Sequence, residues 1–230
     1  MQITWLLTGI AIAVVLSTGS GVAGAFEDCA AAYNRQEYAE ALRLCRPLAE
    51  QGDAKAQSNL ALMFQHGQGV AQDYGEAVTW YRKAADQGFT VAQYNLGLMY
   101  AQGLGVAQDD AEAMTWLRKA ADQGLAPAQY NLGYMYQHGQ GVAQDYAEAV
   151  TWYRKAAEQG FALAQSNLAL MYAQGLGVAQ DYVVAHMWYN LAAALGFEGA
   201  GSARDKLTAY MTPDQIAEAQ RRAREWNPTR

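Results

Sequence analysis

A spacing of 36 residues, repeated along the chain, constrains its fold more than any other feature. Trp80, Trp116, Trp152 and Trp188 stand one such interval apart, and Asn59, Asn95, Asn131 and Asn167 keep the same period. Four tandem copies follow, beginning at Asp53, Phe89, Leu125 and Phe161. A self-similarity of about 20 to 50 residues marks a solenoid, because such a unit cannot bury its apolar face alone and must do so against its neighbours. A length of 230 residues would otherwise suggest one or two compact domains, a count that does not apply to a stack.

Within each copy the apolar residues recur at helical spacing twice. Ala92, Leu96 and Tyr100 form one stripe, and Ala113, Trp116 and Ala120 form another, with Leu117 and Ala121 beside them. These define a helix A and a helix B. The segment between them reads Gly-x-Gly-Val-Ala-Gln-Asp, as in Gly103 to Asp109, where glycines permit positive φ and the aspartate can cap the orphan amides opening helix B. Arg118 and Lys119 suit the negative end of helix B, and Gly124 supplies its C-terminal stop. The predicted fold is all-α: a right-handed α-solenoid of antiparallel helix pairs.

Composition narrows the possible partners. With 52% hydrophobic and 17% charged residues the chain is not disordered, and a formal charge of −6 argues against a phosphate-backbone binder. Nucleic acid is not an expected partner.

The motifs Ala-Gln-Tyr-Asn-Leu-Gly-x-Met-Tyr at 92–100 and Ala-x-x-Trp-x-Arg-Lys-Ala-Ala at 113–121 resemble those of the Sel-one-like repeat (SLR) family, a subclass of tetratricopeptide-like repeats. The resemblance covers residues 53–196 in register. It implies a curved stack of helix pairs with helix A on the concave side, and a role as an adaptor scaffold rather than a catalyst.

The segments flanking the four copies have their own signatures. Residues 1–25 carry no charge, and the apolar run Ile3 to Leu16 is short for a bilayer span, which takes about 20 residues. With Ala23-Gly24-Ala25 behind it, this reads as a signal peptide cleaved after Ala25, giving a periplasmic or secreted chain without a membrane span. The missing basic residue near Met1 leaves a misassigned start or a retained anchor open. Residues 26–52 read as one more hairpin with a shortened loop, its helix B interrupted by Pro47 and expected to kink there. Cys29 and Cys45 lie equally far from its turn, and an oxidising compartment favours a disulfide between them over two buried small apolar side chains. Residues 197–230 read as C-terminal capping helices: Thr212-Pro213 opens a helix whose Ile216, Ala219, Ala223 and Trp226 form one apolar stripe.

Comparison of the four copies with one another isolates the positions that change. On helix A these are Lys55, Val91, Pro127 and Leu163; Ser58, Tyr94, Tyr130 and Ser166; Leu62, Leu98, Tyr134 and Leu170; and Gln65, Ala101, Gln137 and Ala173. Steps of three, four and three residues hold them to a stripe of roughly 80° on one helix face. His66, Gln102, His138 and Gln174 lie alongside. Drift between duplicated copies would also produce differences, but drift need not respect helical spacing. Lys55 apart, the stripe is uncharged, so it suits another protein or peptide: aromatic and aliphatic anchors would supply affinity and amides would meet a backbone. The recurrent asparagines read as inter-helix hydrogen bonds, and the four tryptophans as core.

No cofactor, metal or catalytic site is expected. His66 and His138 are two repeats apart, hence nearer 20 Å than the roughly 4 Å of joint coordination, given helices about 8 to 10 Å apart. His186 reads as a packed or partly exposed helix residue. The alternative function is a peptidoglycan- or penicillin-binding hydrolase of the β-lactamase kind. It would want Ser-x-x-Lys, whereas Ser58, Ser166 and Ser202 are followed at that spacing by Ala61, Ala169 and Asp205.

Overall fold

The computed structural model describes residues 22–226, and every regular element among them is helical. The chain divides into two compact units, one ending at Asp109 and the other starting at Asp110.

The first unit holds α1 (Val22–Asn34), α2 (Tyr38–Glu50), α3 (Ala54–His66), α4 (Tyr74–Asp86) and α5 (Thr90–Gln102), each packed on the next. The second holds α6 (Asp110–Asp122), α7 (Ala126–His138), α8 (Tyr146–Glu158), α9 (Ala162–Gln174) and α10 (Tyr182–Ala194), again packed in order. It then adds α11 (Ala200–Leu207), a 3₁₀ turn (Thr208–Tyr210) and α12 (Pro213–Glu225), with α11 and α12 both lying on α10. Odd-numbered helices α3 to α9 are the A helices of the four copies, and even-numbered α4 to α10 are the B helices.

The boundary residues act as their chemistry dictates. Asp73, Asp145 and Asp181 accept hydrogen bonds from the amides opening α4, α8 and α10. At the end of α4, Gly88 has φ +86°; its amide reaches the Ala85 carbonyl and the Phe89 amide reaches Ala84, the paired bonds of a Schellman stop. The same pair closes α6, α8 and α10 at Gly124, Gly160 and Gly196. Helix pairs are antiparallel: Gln87, just past α4, donates to Gln57 in the first turn of α3 at 2.8 Å, and Gln159 donates to Gln129 in the same way.

The second glycine of the inter-helix loop has a steric role. A methyl group at Gly69 would strike the Tyr38 carbonyl that opens α2, and one at Gly141 would strike the Asp110 carbonyl that opens α6. The loop of one repeat therefore rests on the start of the preceding helix B. Gly69 meets the start of α2 as Gly141 meets the start of α6.

In the α1–α2 hairpin the chain turns through Gln36, at φ +62°, and Cys29 and Cys45, both buried, are disulfide-bonded with Cα atoms 5.3 Å apart. Helix α2 runs unbroken through Pro47 to Glu50, and Pro47 is exposed, so the carbonyl it leaves without a helical donor faces water. Residues 1–21 of the expected signal segment lie outside the described residues, as do 227–230 of the expected cap. The Ala23–Ala25 cleavage motif falls in the opening turn of α1, with Ala25 against the core and Phe26 buried. At the other end Thr212 and Gln215 form a reciprocal capping box. Ala219 and Ala223 are buried, and Trp226 packs edge-on to Trp188 with ring centroids 5.8 Å apart.

Candidate functional site

A glutamine framework sets the spacing of the A helices. Gln57, Gln93, Gln129 and Gln165, all buried, donate to the last-turn carbonyls of the preceding helix B at Ala49, Ala85, Ala121 and Ala157, at 3.0 to 3.1 Å. Loop glutamines brace the opposite ends of the A helices, where Gln72, Gln144 and Gln180 donate to the final-turn carbonyls of Gln65, Gln137 and Ala173. These amides escaped the sequence reading, although their invariance across the copies was a visible signal. Two of the asparagines bridge helices, Asn95 to the Tyr81 hydroxyl and Asn167 to those of Tyr153 and Tyr130. Burial drives the Tyr81 and Tyr153 phenols far above their ordinary range, so both remain neutral donors.

The variable stripe is less uniform than its sequence suggests. Ser58 and Tyr94 are only 5% and 8% exposed, so they leave the predicted contact surface: their side chains serve the interior. Tyr130 packs on the Tyr153 and Phe161 rings at 5.7 and 5.5 Å. Part of the variation at this position is therefore compensated packing. A methyl group at Gly133 would sit 2.6 Å from the Tyr153 ring, and the copies pair Tyr94 with Gly97 and Tyr130 with Gly133, but Ser58 with Ala61 and Ser166 with Ala169. Extra bulk at one site is matched by a missing methyl one turn on. Gln65 and Gln137 are likewise committed, each accepting from the hydroxyl of a helix-B tyrosine, Tyr81 at 2.9 Å and Tyr153 at 2.6 Å.

What stays accessible is the third set of positions and its border. Leu62, Leu98, Tyr134 and Leu170 are each half-buried, as are Val91, Leu163, Ser166 and Gln102. His66, His138 and Gln174 are exposed. The Tyr134 and His138 rings lie 4.2 Å apart, and partial desolvation lowers the His138 pKa, which keeps the imidazole neutral at physiological pH. The first unit thus presents Leu62 and Leu98 from α3 and α5, and the second Tyr134 and Leu170 from α7 and α9.

On the B helices the Arg-Lys pair does more than complement a helix end. Lys83, Lys119 and Lys155 lie 3.8, 3.8 and 3.9 Å over the rings of Trp80, Trp116 and Trp152. Arg82, Arg118 and Arg154 donate to the hydroxyls of Tyr100, Tyr136 and Tyr172. Trp116, Trp152 and Trp188 are core as expected, whereas Trp80 is only half-buried. His186 is 2% exposed, so it is a core residue outright. Among the described residues no group of three or more His, Cys, Asp or Glu side chains could hold a metal ion, and no helix is long and apolar enough to cross a membrane.

Repeated helix pairs fastened by recurrent amides and glycines define an α-solenoid repeat protein. Residues 54–89, 90–125, 126–161 and 162–197 each match the Sel1 repeat, and the chain belongs to the Sel1 repeat family. It is similar to c5321, a protective antigen present in uropathogenic Escherichia coli strains displaying an SLR fold. That likeness has 39% identity and a TM-score of 0.75, over 82% of this chain and 41% of the other. A Sel1 repeat protein from Oxalobacter formigenes is similar at 41% identity and TM-score 0.69, over 74% of this chain and 49% of the other. The chain therefore spans less than half the length of these two relatives. The fold alone is shared with immunity protein Pa5087 from Pseudomonas aeruginosa, at 21% identity and TM-score 0.54 over 94% and 91% of the two chains. No curated protein matches the chain. Sel1 repeat proteins are in general protein-interaction scaffolds rather than enzymes.

Proposed function

We propose that this protein is an exported scaffold that holds an extended or helical segment of a cell-envelope protein against its A helices. The observation that carries the reading is the fate of the third variable set. Around Leu62, Leu98, Tyr134 and Leu170 the framework residues are buried or hydrogen-bonded, while these four stay half-open at one register position. They are apolar or aromatic, leucine in three copies and tyrosine in the other, and His and Gln side chains border them, a combination suited to anchoring side chains and pairing with a backbone. Export is supported by the apolar segment before Ala25 and by the Cys29–Cys45 disulfide, which fits an oxidising compartment. The E. coli relative's description as a protective antigen agrees with an envelope or external location.

The experiment is a pull-down from envelope extract with purified protein, compared with a variant carrying Leu62→Ala, Leu98→Ala, Tyr134→Ala and Leu170→Ala. Capture should fall at least tenfold while far-UV helicity is retained, since the loss of one hot-spot anchor alone costs about 2 kcal/mol. Undiminished capture by the variant refutes the helix-A surface.

A further inference from the structure

One trough between successive B helices lacks the tyrosine hydroxyl that its counterparts carry. In the second unit Arg118 of α6 donates to the Tyr136 hydroxyl and lies 5.7 and 5.6 Å from the Tyr136 and Trp152 ring centroids, leaving Trp152 4% exposed. Arg154 makes the same bond to Tyr172, and Arg82 makes it to Tyr100. Two repeats before Arg118 the equivalent arginine is Arg46 of α2, but the position of the tyrosine is held by Phe64. The missing oxygen leaves the Arg46 guanidinium without a hydrogen-bond or ion-pair partner among the described residues. Trp80 is half-buried, and a cavity of about 250 Å³ opens between α2 and α4, lined by Arg46, Glu50, Leu60, Phe64, Glu76 and Trp80.

Size and charge select the occupant. The volume lies below the roughly 300–1,000 Å³ of small-molecule sites, so one side chain fits better than a ligand. A carboxylate would face Glu50 and Glu76, and a cation would meet Arg46 and the Lys83 ammonium that already covers Trp80 at 3.8 Å. A neutral aromatic ring bearing an oxygen acceptor meets neither objection, and its oxygen replaces the hydroxyl that the later troughs supply from within.

We propose that the α2–α4 trough receives a tyrosine side chain presented by a partner protein, its hydroxyl accepting from Arg46 and its ring lying against Trp80. This rests on the scaffold reading but uses a different surface, so the helix-A variant above leaves it untouched and the two can fail separately.

The test uses the full chain, with N-acetyl-tyrosinamide and N-acetyl-phenylalaninamide as probes and NMR detection at the Trp80 indole N–H and Arg46 Nε–H. The tyrosine probe should shift both signals and bind about tenfold more tightly than the phenylalanine probe, the worth of a hydrogen bond from a charged donor. Phe64→Tyr, which installs the residue of the other copies, should fold normally and abolish the response, and Arg46→Gln should erase the preference for the hydroxyl. Equal binding of the two probes, or an unchanged response in Phe64→Tyr, overturns the proposal. Tyr210 is 68% exposed, so concentration-dependent self-association that disappears in Tyr210→Phe would instead identify a second copy as the source of the phenol and overturn the assignment to a foreign partner.

Discussion

Single residues in this protein are best understood through their equivalents one or two repeats away. Gly133→Ala should destabilise the second unit by about 1–3 kcal/mol, because the added methyl has only the Tyr153 ring to displace. Combined with Tyr130→Ser, which recreates the pairing of the first and fourth copies, the cost should fall well below the sum of the two single changes. A double-mutant cycle by urea denaturation measures that coupling. His186 is a second case. It stands where the first and third copies have valine, its Nδ1 has no partner, and burial, aided by the Arg204 guanidinium and opposed by Asp205, lowers its pKa. A lowered folded value means that neutral imidazole favours folding above the ordinary histidine value of about 6.5, and that this stability is lost as pH falls below it. His186→Val should therefore flatten the decline in stability between about pH 6.5 and 5 relative to the wild type, a difference that thermal melts across that range would reveal.

At the scale of elements, the joints between helices set the energetics. Gln57 and Gln129 have their side-chain oxygens satisfied by Gln87 and Gln159, but in the fourth copy the donor position is Leu195, 56% exposed, and the Gln165 oxygen is buried without a partner. Leu195→Gln should restore the joint between α9 and the end of α10, raising stability by about 0.5–1.5 kcal/mol as read from the denaturation midpoint. The N-terminal hairpin depends on a covalent joint. Its cysteines are 16 residues apart, and closing a ring of that size is worth about 3 kcal/mol in the loop-entropy model. Replacing both cysteines with alanine should lower the melting temperature and raise amide exchange first in α1 and α2, whose packing partners are few; uniform loss along the chain would argue against a local staple.

For the whole molecule, solenoid logic requires that the last apolar face be covered. Helix α12 and the Trp226 that follows it do this, with Ala219, Ala223 and Trp226 buried or packed at α10, while Arg221 and Arg222 pair with Glu218 on the outer side. Ending the chain at Met211 should expose Trp188 and produce aggregation with a red-shifted tryptophan emission, whereas a monodisperse truncated chain would show the cap to be dispensable.

Much of this was legible in the sequence, for a reason specific to repeats. A 36-residue period, aspartate and glycine at helix ends, and apolar stripes at helical spacing are local signals stated four times over, and they suffice for the all-helical fold, the helix pair of each copy and membership of the Sel1 repeat family. Packing between helices is not local. Whether Tyr94 faced a ligand or the interior, whether Gln65 was available or already accepting from Tyr81, and why Trp80 stays open while Trp152 is closed each depend on a side chain distant along the chain. A difference between copies marks a site as variable, but only the tertiary arrangement shows whether a neighbour has compensated for it, because both outcomes leave the same trace along the chain.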